Sequence, residues 1–115
     1  MRAAAGLALL LAACSPNASD APAVDMIDCA IGGAADFSHD CSVEQSEQNG
    51  DPVLIVHEPN GGFRRFTLLD GGKSVGAADG AEPLAVAGNR ERVDVSVDGD
   101  RYRFPAKMLS HAARH

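Results

Sequence analysis

The chain has no tryptophan, one tyrosine and four phenylalanines. Surfaces that stack sugars or single-stranded nucleic acid are built from exposed aromatic rings, so little here can make one. Between Cys14 and Phe63 there is no lysine or arginine, against nine acids from Asp20 to Glu58. From Arg64 onward nine basic residues face seven acidic ones, and the net charge is −6. A nucleic-acid binder shows a basic footprint over its domain, so no nucleic-acid partner is expected. No apolar run approaches the ~20 residues of a membrane-spanning helix. The motifs HExxH and SxxK are absent, as is any CxxC pair. The only dense polar cluster is Asp36, His39 and Asp40, with His57 and Glu58 further on. A metal site needs three or four converging ligands with a satisfied outer shell, which this spacing does not supply. No catalytic residue, metal or cofactor is therefore expected, and the chain reads as a non-enzyme.

The start of the chain is more informative. Met1-Arg2 supplies one positive charge, and Ala3 to Ala13 is an unbroken small and apolar run ending in Leu11-Ala12-Ala13-Cys14. Charge, apolar segment and small residues, in that order, make an export signal. The last four residues resemble the lipobox of bacterial lipoproteins. That resemblance implies cleavage between Ala13 and Cys14, a lipid on the Cys14 thiol and anchorage in the cell envelope facing the periplasm. Ser15, and not Asp, follows the cysteine, which by the sorting rule of enteric lipoproteins implies the outer membrane. Two or three acyl chains hold a protein stably, since each buried CH₂ contributes ~0.8 kcal/mol.

With Cys14 assigned to lipid, Cys29 and Cys41 remain. In an oxidising compartment they are expected to pair, stabilising the fold by ~3 kcal/mol in the chain-entropy view. The division is residues 1–13 as signal, 14–25 as lipidated cysteine and flexible tether, and 26–115 as one domain. "SPNASDAPAVD" has the composition of a tether, with a root-mean-square reach of only ~20 Å.

The body alternates short apolar stretches with turn signals at Asn49-Gly50, Asn60-Gly61, Gly71-Gly72, Asp79-Gly80, Gly88-Asn89 and Asp98-Gly99. This spacing predicts antiparallel hairpins. With Asp98-Gly99 in a type I′ turn, Val95 faces Tyr102, Val93 faces Phe104, Asp94 faces Arg103 and Ser96 faces Arg101. A slip of one residue would expose every apolar side chain. With Asn60-Gly61 at a second turn, Ile55 faces Phe66, Val53 faces Leu68 and His57 faces Arg64. "KSVGAADGAEPLAVAG" suggests a third hairpin, its second strand confined to an edge by Pro83. "PAKMLSHAARH" suggests a short C-terminal helix with Pro105 in its first turn. The expected fold is all-β: a small antiparallel meander forming a barrel or sandwich, with one core and one staple.

The segment Cys29 to Leu109 is similar to small secreted proteins of Gram-negative bacteria, which implies an envelope location and no particular activity. The leading expectation is an envelope-anchored lipoprotein whose β-domain is a non-catalytic binding or accessory module, its partner an envelope or periplasmic protein. Arg64, Arg65, Arg101 and Arg103 would form a basic binding stripe if their two hairpins were neighbours. The alternative is a periplasmic inhibitor of a basic hydrolase such as lysozyme, by analogy of size, anchor, disulfide and acidity.

Overall fold

The computed structural model describes residues 25–78 and 83–114. The expected signal, Cys14 and all of the tether except Asp25 lie outside these residues. Eight strands form one antiparallel sheet: β1 Asp25–Ala30, β2 Ser38–Gln48, β3 Asp51–His57, β4 Phe63–Leu69, β5 Ser74–Ala77, β6 Ala85–Gly88, β7 Arg92–Val97 and β8 Asp100–Pro105. A 3₁₀ turn, Asp70–Gly72, links β4 to β5, and helix α1, Ala106–Ala113, follows β8. The sheet order is β5-β4-β3-β2-β1-β8-β7-β6. The first and last strands pair with each other, so the meander curls into a nearly closed barrel. One seam stays open, between β5 and β6.

The β7–β8 hairpin has the expected register, Val95 opposite Tyr102 and Val93 opposite Phe104. Asp98 and Gly99 take φ of 50° and 83°, the left-handed pair that a type I′ turn requires. All four apolar side chains are buried, and Asp94 faces Arg103 on the outer surface. Asn49 and Gly50 make an equivalent turn between Gln48 and Asp51.

The β3–β4 hairpin differs from expectation by one residue. Leu54 pairs with Phe66 and Ile55 with Arg65, and the last strand pair is His57 with Phe63. The cause is Pro59. Its fixed φ suits the second position of a type I turn, here closed by the Gly61 amide donating to the Glu58 carbonyl at 3.0 Å. Gly61 then turns left-handed, with φ of 92°, and the Glu58 amide donates to the Gly62 carbonyl at 2.8 Å. The loop is therefore three residues long and not two. Leu54, Val56 and Glu58 thus share the inward face with Arg64 and Phe66, while Val53, on the other face of β3, is buried as well.

The expected third hairpin does not form either. β5 pairs only with β4 and β6 only with β7, so the two strands are the sheet's two edges, with Pro83 just ahead of β6.

The barrel interior is filled. Phe66 meets Tyr102 and Phe104 edge-on, with ring centroids 5.5 Å away in both cases, a favoured geometry for aromatic pairs. Cys29 and Cys41 are joined in a disulfide between neighbouring strands β1 and β2, Cα atoms 6.1 Å apart. Both cysteines are buried. Helix α1 closes one end by burying Leu109 and Ala112, and its first amide donates to the Glu91 carbonyl at 2.9 Å. The 3₁₀ turn packs so tightly on α1 that a Cβ on Gly72 would lie 2.4 Å from the Leu109 carbonyl oxygen. Among the described residues no helix is long and apolar enough to cross a membrane.

Candidate functional site

The two ends of the barrel differ. At one end lie α1, the 3₁₀ turn, the turn from β6 to β7 and the beginning of β1. This follows from β1 running antiparallel to β8, with Asp28 opposite Arg103, so that Asp25 lies toward the end where β8 passes into α1. At the other end lie the loop after β1, the Glu58–Gly62 loop and the Asp98-Gly99 turn.

That second end is sealed by a polar cluster. The inward-facing Arg64 donates from Nε to the Tyr102 hydroxyl at 3.0 Å and from Nη2 to Asp100 Oδ2 at 3.0 Å. Its Nε also lies 3.9 Å from Glu58 Oε2. The Tyr102 hydroxyl donates to Glu58 Oε2. Asp100 Oδ1 accepts the Gly32 amide at 2.7 Å, and the Gly33 amide donates to the Gly99 carbonyl at 3.0 Å. The loop after β1 is thereby pinned to the β7–β8 turn. Burial, together with the neighbouring Glu58 carboxylate, pushes the Tyr102 hydroxyl far above the ordinary phenol range. It stays protonated and acts as a donor. These contacts anchor the interior polar groups to one another, as buried polar atoms require.

Arg64, Arg65, Arg101 and Arg103 do not come together. β4 and β8 are separated by β3, β2 and β1. Arg64 points into the barrel, whereas Arg65 lies on the outer face, 5.1 Å from the Phe63 ring centroid. Arg101 donates to the Ala34 and Ala35 carbonyls at 2.8 and 3.0 Å. Arg101 and Arg103 both stack on Phe37, at 4.6 and 3.8 Å. The chain's own loop thus occupies two of the four guanidinium groups expected to meet a partner, those of Arg101 and Arg103.

The outer-surface ion pairs form within each half of the chain, and the acidic and basic halves meet where Arg64 lies 3.9 Å from Glu58. Asp94 has Arg92 at 3.4 Å and Arg103 at 3.8 Å. His39 Nδ1 lies 2.8 Å from Asp28 Oδ1, and His57 Nε2 lies 2.9 Å from Glu44 Oε1. Among the described residues, no three His, Cys, Asp or Glu side chains converge as metal ligands, so Asp36, His39 and Asp40 form no such group.

A cleft with a volume of about 600 Å³ lies at the α1 end of the open seam. Lys73, Ser74, Asn89, Arg90 and Ser110 supply its polar side chains; Val86 and Val93 contribute apolar wall. Binding pockets commonly fall in this size range. The sequence reading missed the site because it joined β5 and β6 as a hairpin. The string Gly72-Lys73-Ser74-Val75-Gly76, also passed over, fits the GxSxG pattern of hydrolases. There the serine stands on a sharp strand-to-helix turn, while here Ser74 begins a strand after a 3₁₀ turn. Ser74 has no hydrogen-bonded base among the described residues. The string joins the 3₁₀ turn to β5, and its glycine at position 72 serves close packing against α1.

The chain matches no protein-family model, and no curated protein or solved structure is significantly similar to it.

Proposed function

We propose that this chain is an envelope lipoprotein, anchored through Cys14 in the outer membrane on its periplasmic side, and that its barrel is a non-catalytic binding module. The observation that carries the reading is the position of Asp25. The chain enters the barrel at the α1 end, so a short tether holds that end toward the lipid and presents the opposite end to the periplasm. The interior is occupied by aromatic side chains and the disulfide, so a partner must be met on the outside. Phe63 offers a contact there: it lies at the periplasmic end and is 52% exposed. Aromatic residues framed by polar ones commonly anchor protein interfaces.

The test is cross-linking in intact cells from a photoreactive residue at position 63, with position 107 on α1 as the comparison. One dominant envelope protein trapped from position 63 and not from position 107 supports the reading. A smear from both, or release of the unmodified chain into the soluble fraction, counts against it.

A second reading, inhibition of a basic hydrolase, is favoured by one observation: Asp36 and Asp98 are exposed at the same end as Phe63. Complementary charge steers such encounters. A lysozyme assay with micromolar excess of the protein decides it, and unchanged hydrolysis removes it.

A further inference from the structure

We propose that the cleft at the α1 end of the seam binds the phosphate of an anionic glycerophospholipid headgroup in the anchoring membrane. The inference rests on the lipoprotein reading above and adds a ligand class and a site to it. Among the described residues its lining contains two cations, Lys73 and Arg90, two hydroxyls, Ser74 and Ser110, the amide of Asn89, and no acidic side chain. Neither cation makes an ion pair among the described residues. In a chain of net charge −6, a cleft lined by basic side chains without an acid selects an anion. Asp70 and Glu91 sit in the adjoining turns but outside the lining.

The chemistry of the lining suits a phosphodiester. A guanidinium and an ammonium provide charge-assisted donors, and the hydroxyls supply neutral ones. The side chains of Val86 and Val93 give the glycerol and first methylenes an apolar wall. Val86 is 36% exposed although it lies on a strand. The open seam is what makes room: a β5–β6 pair would have filled it, yet the strand edges stay unbonded where Gly88 passes the Lys73 carbonyl.

Position selects the source of the phosphate. The cleft and Asp25 share the barrel's α1 end, and residues 14–24 connect that end to the anchor. A tether with a reach of ~20 Å keeps the cleft close to the headgroups, where their local concentration is high. Bound there, a headgroup orients the barrel with α1 toward the membrane.

The experiment uses the acylated protein extracted in a neutral detergent and follows its melting temperature. Short-chain phosphatidylglycerol, short-chain phosphatidylcholine and inorganic phosphate are titrated in separate arms. A ligand that binds only the folded state raises the melting temperature. Phosphatidylglycerol is expected to raise it by about 5 °C at roughly five times its dissociation constant, and further at higher concentration, with at most a small effect of the other two. Lys73→Ser and Arg90→Gln each weaken the shift and together abolish it. Both side chains border the open cleft, and an unchanged melting temperature without ligand shows that the variants fold. An equal shift with inorganic phosphate overturns the lipid assignment. An equal shift with phosphatidylcholine, or one that survives the double substitution, overturns the site, as does no shift in any arm. The mass of the same preparation reports acylation separately, so an absent acyl group with a positive titration rejects the anchor and leaves the anion site standing.

Discussion

Arg64 and Asp100 meet inside the barrel, Nη2 to Oδ2 at 3.0 Å, although their strands lie on opposite sides of it with three others between them. The contact bridges the interior where the barrel would otherwise admit water. It also explains an arginine in line with Phe66 and Leu68 on an inward strand face. Both side chains are largely buried, at 18% and 11% exposed.

Removing one partner of such a pair leaves the other charge without compensation. Arg64→Ala is expected to destabilise the protein by about 3 kcal/mol at neutral pH. Arg65→Ala, one position away on the outer face, should cost about 0.5 kcal/mol or less. Urea unfolding of the two variants checks this. Equal losses would mean that Arg64 contributes as a surface residue.

Tyr102 is the only tyrosine, so the phenolate absorption band of the protein reports one known group. Its folded pKa is raised, chiefly by burial. The unfolded chain therefore ionises first, near the ordinary value of about 10. The tyrosine's contribution to stability is full below that pH and is lost above it, by about 1.4 kcal/mol per pH unit. Phenolate absorption should appear only together with loss of the β-sheet circular dichroism signal. A reversible titration near pH 10 with the signal unchanged would contradict the buried donor.

Gly72 and Gly99 both have positive φ, 93° and 83°, but only Gly72 faces a close neighbour. Nothing lies within 4 Å of a Cβ placed on Gly99. Gly99→Ala should cost about 1 kcal/mol from backbone strain alone. Gly72→Ala adds the overlap with the Leu109 carbonyl and should cost at least about 1 kcal/mol more. Denaturant titration separates the two, and equal costs would mean that α1 moves aside freely.

Reduction of the Cys29–Cys41 bridge releases a buried staple. The expected loss is about 3 kcal/mol, read from thermal melts with and without reductant. An unchanged melting temperature would show that β1 and β2 are held by pairing and packing alone.

Much of the architecture was legible in the residues, because alternation and turn chemistry are local. "RVDVSVDGDRYRF" places two apolar rows and a cross-strand ion pair in one register, and the β7–β8 hairpin obeys it. On β4 the inward row of Arg64, Phe66 and Leu68 was equally readable. Its partner row on β3 was not, since one residue of loop length depends on how Pro59 and Gly61 divide the turn. The polar cluster and the seam were hidden for another reason. Tyr102 and Glu58 are separated by 44 residues, and contacts of that kind follow from barrel closure, which no local pattern encodes. Phe37 was invisible as the cover over Arg101 and Arg103 because its loop is ordered by backbone bonds to a distant turn.

The measurement that bears most directly on the proposed function is the intact mass of the protein extracted from membranes of an exporting bacterial host, with and without reductant. An anchored module requires a species that begins at Cys14, is heavier by its acyl chains and gains two hydrogens on reduction. A soluble, unacylated species cut at another position would contradict it. The barrel would then stand as a secreted domain with no tie to the membrane.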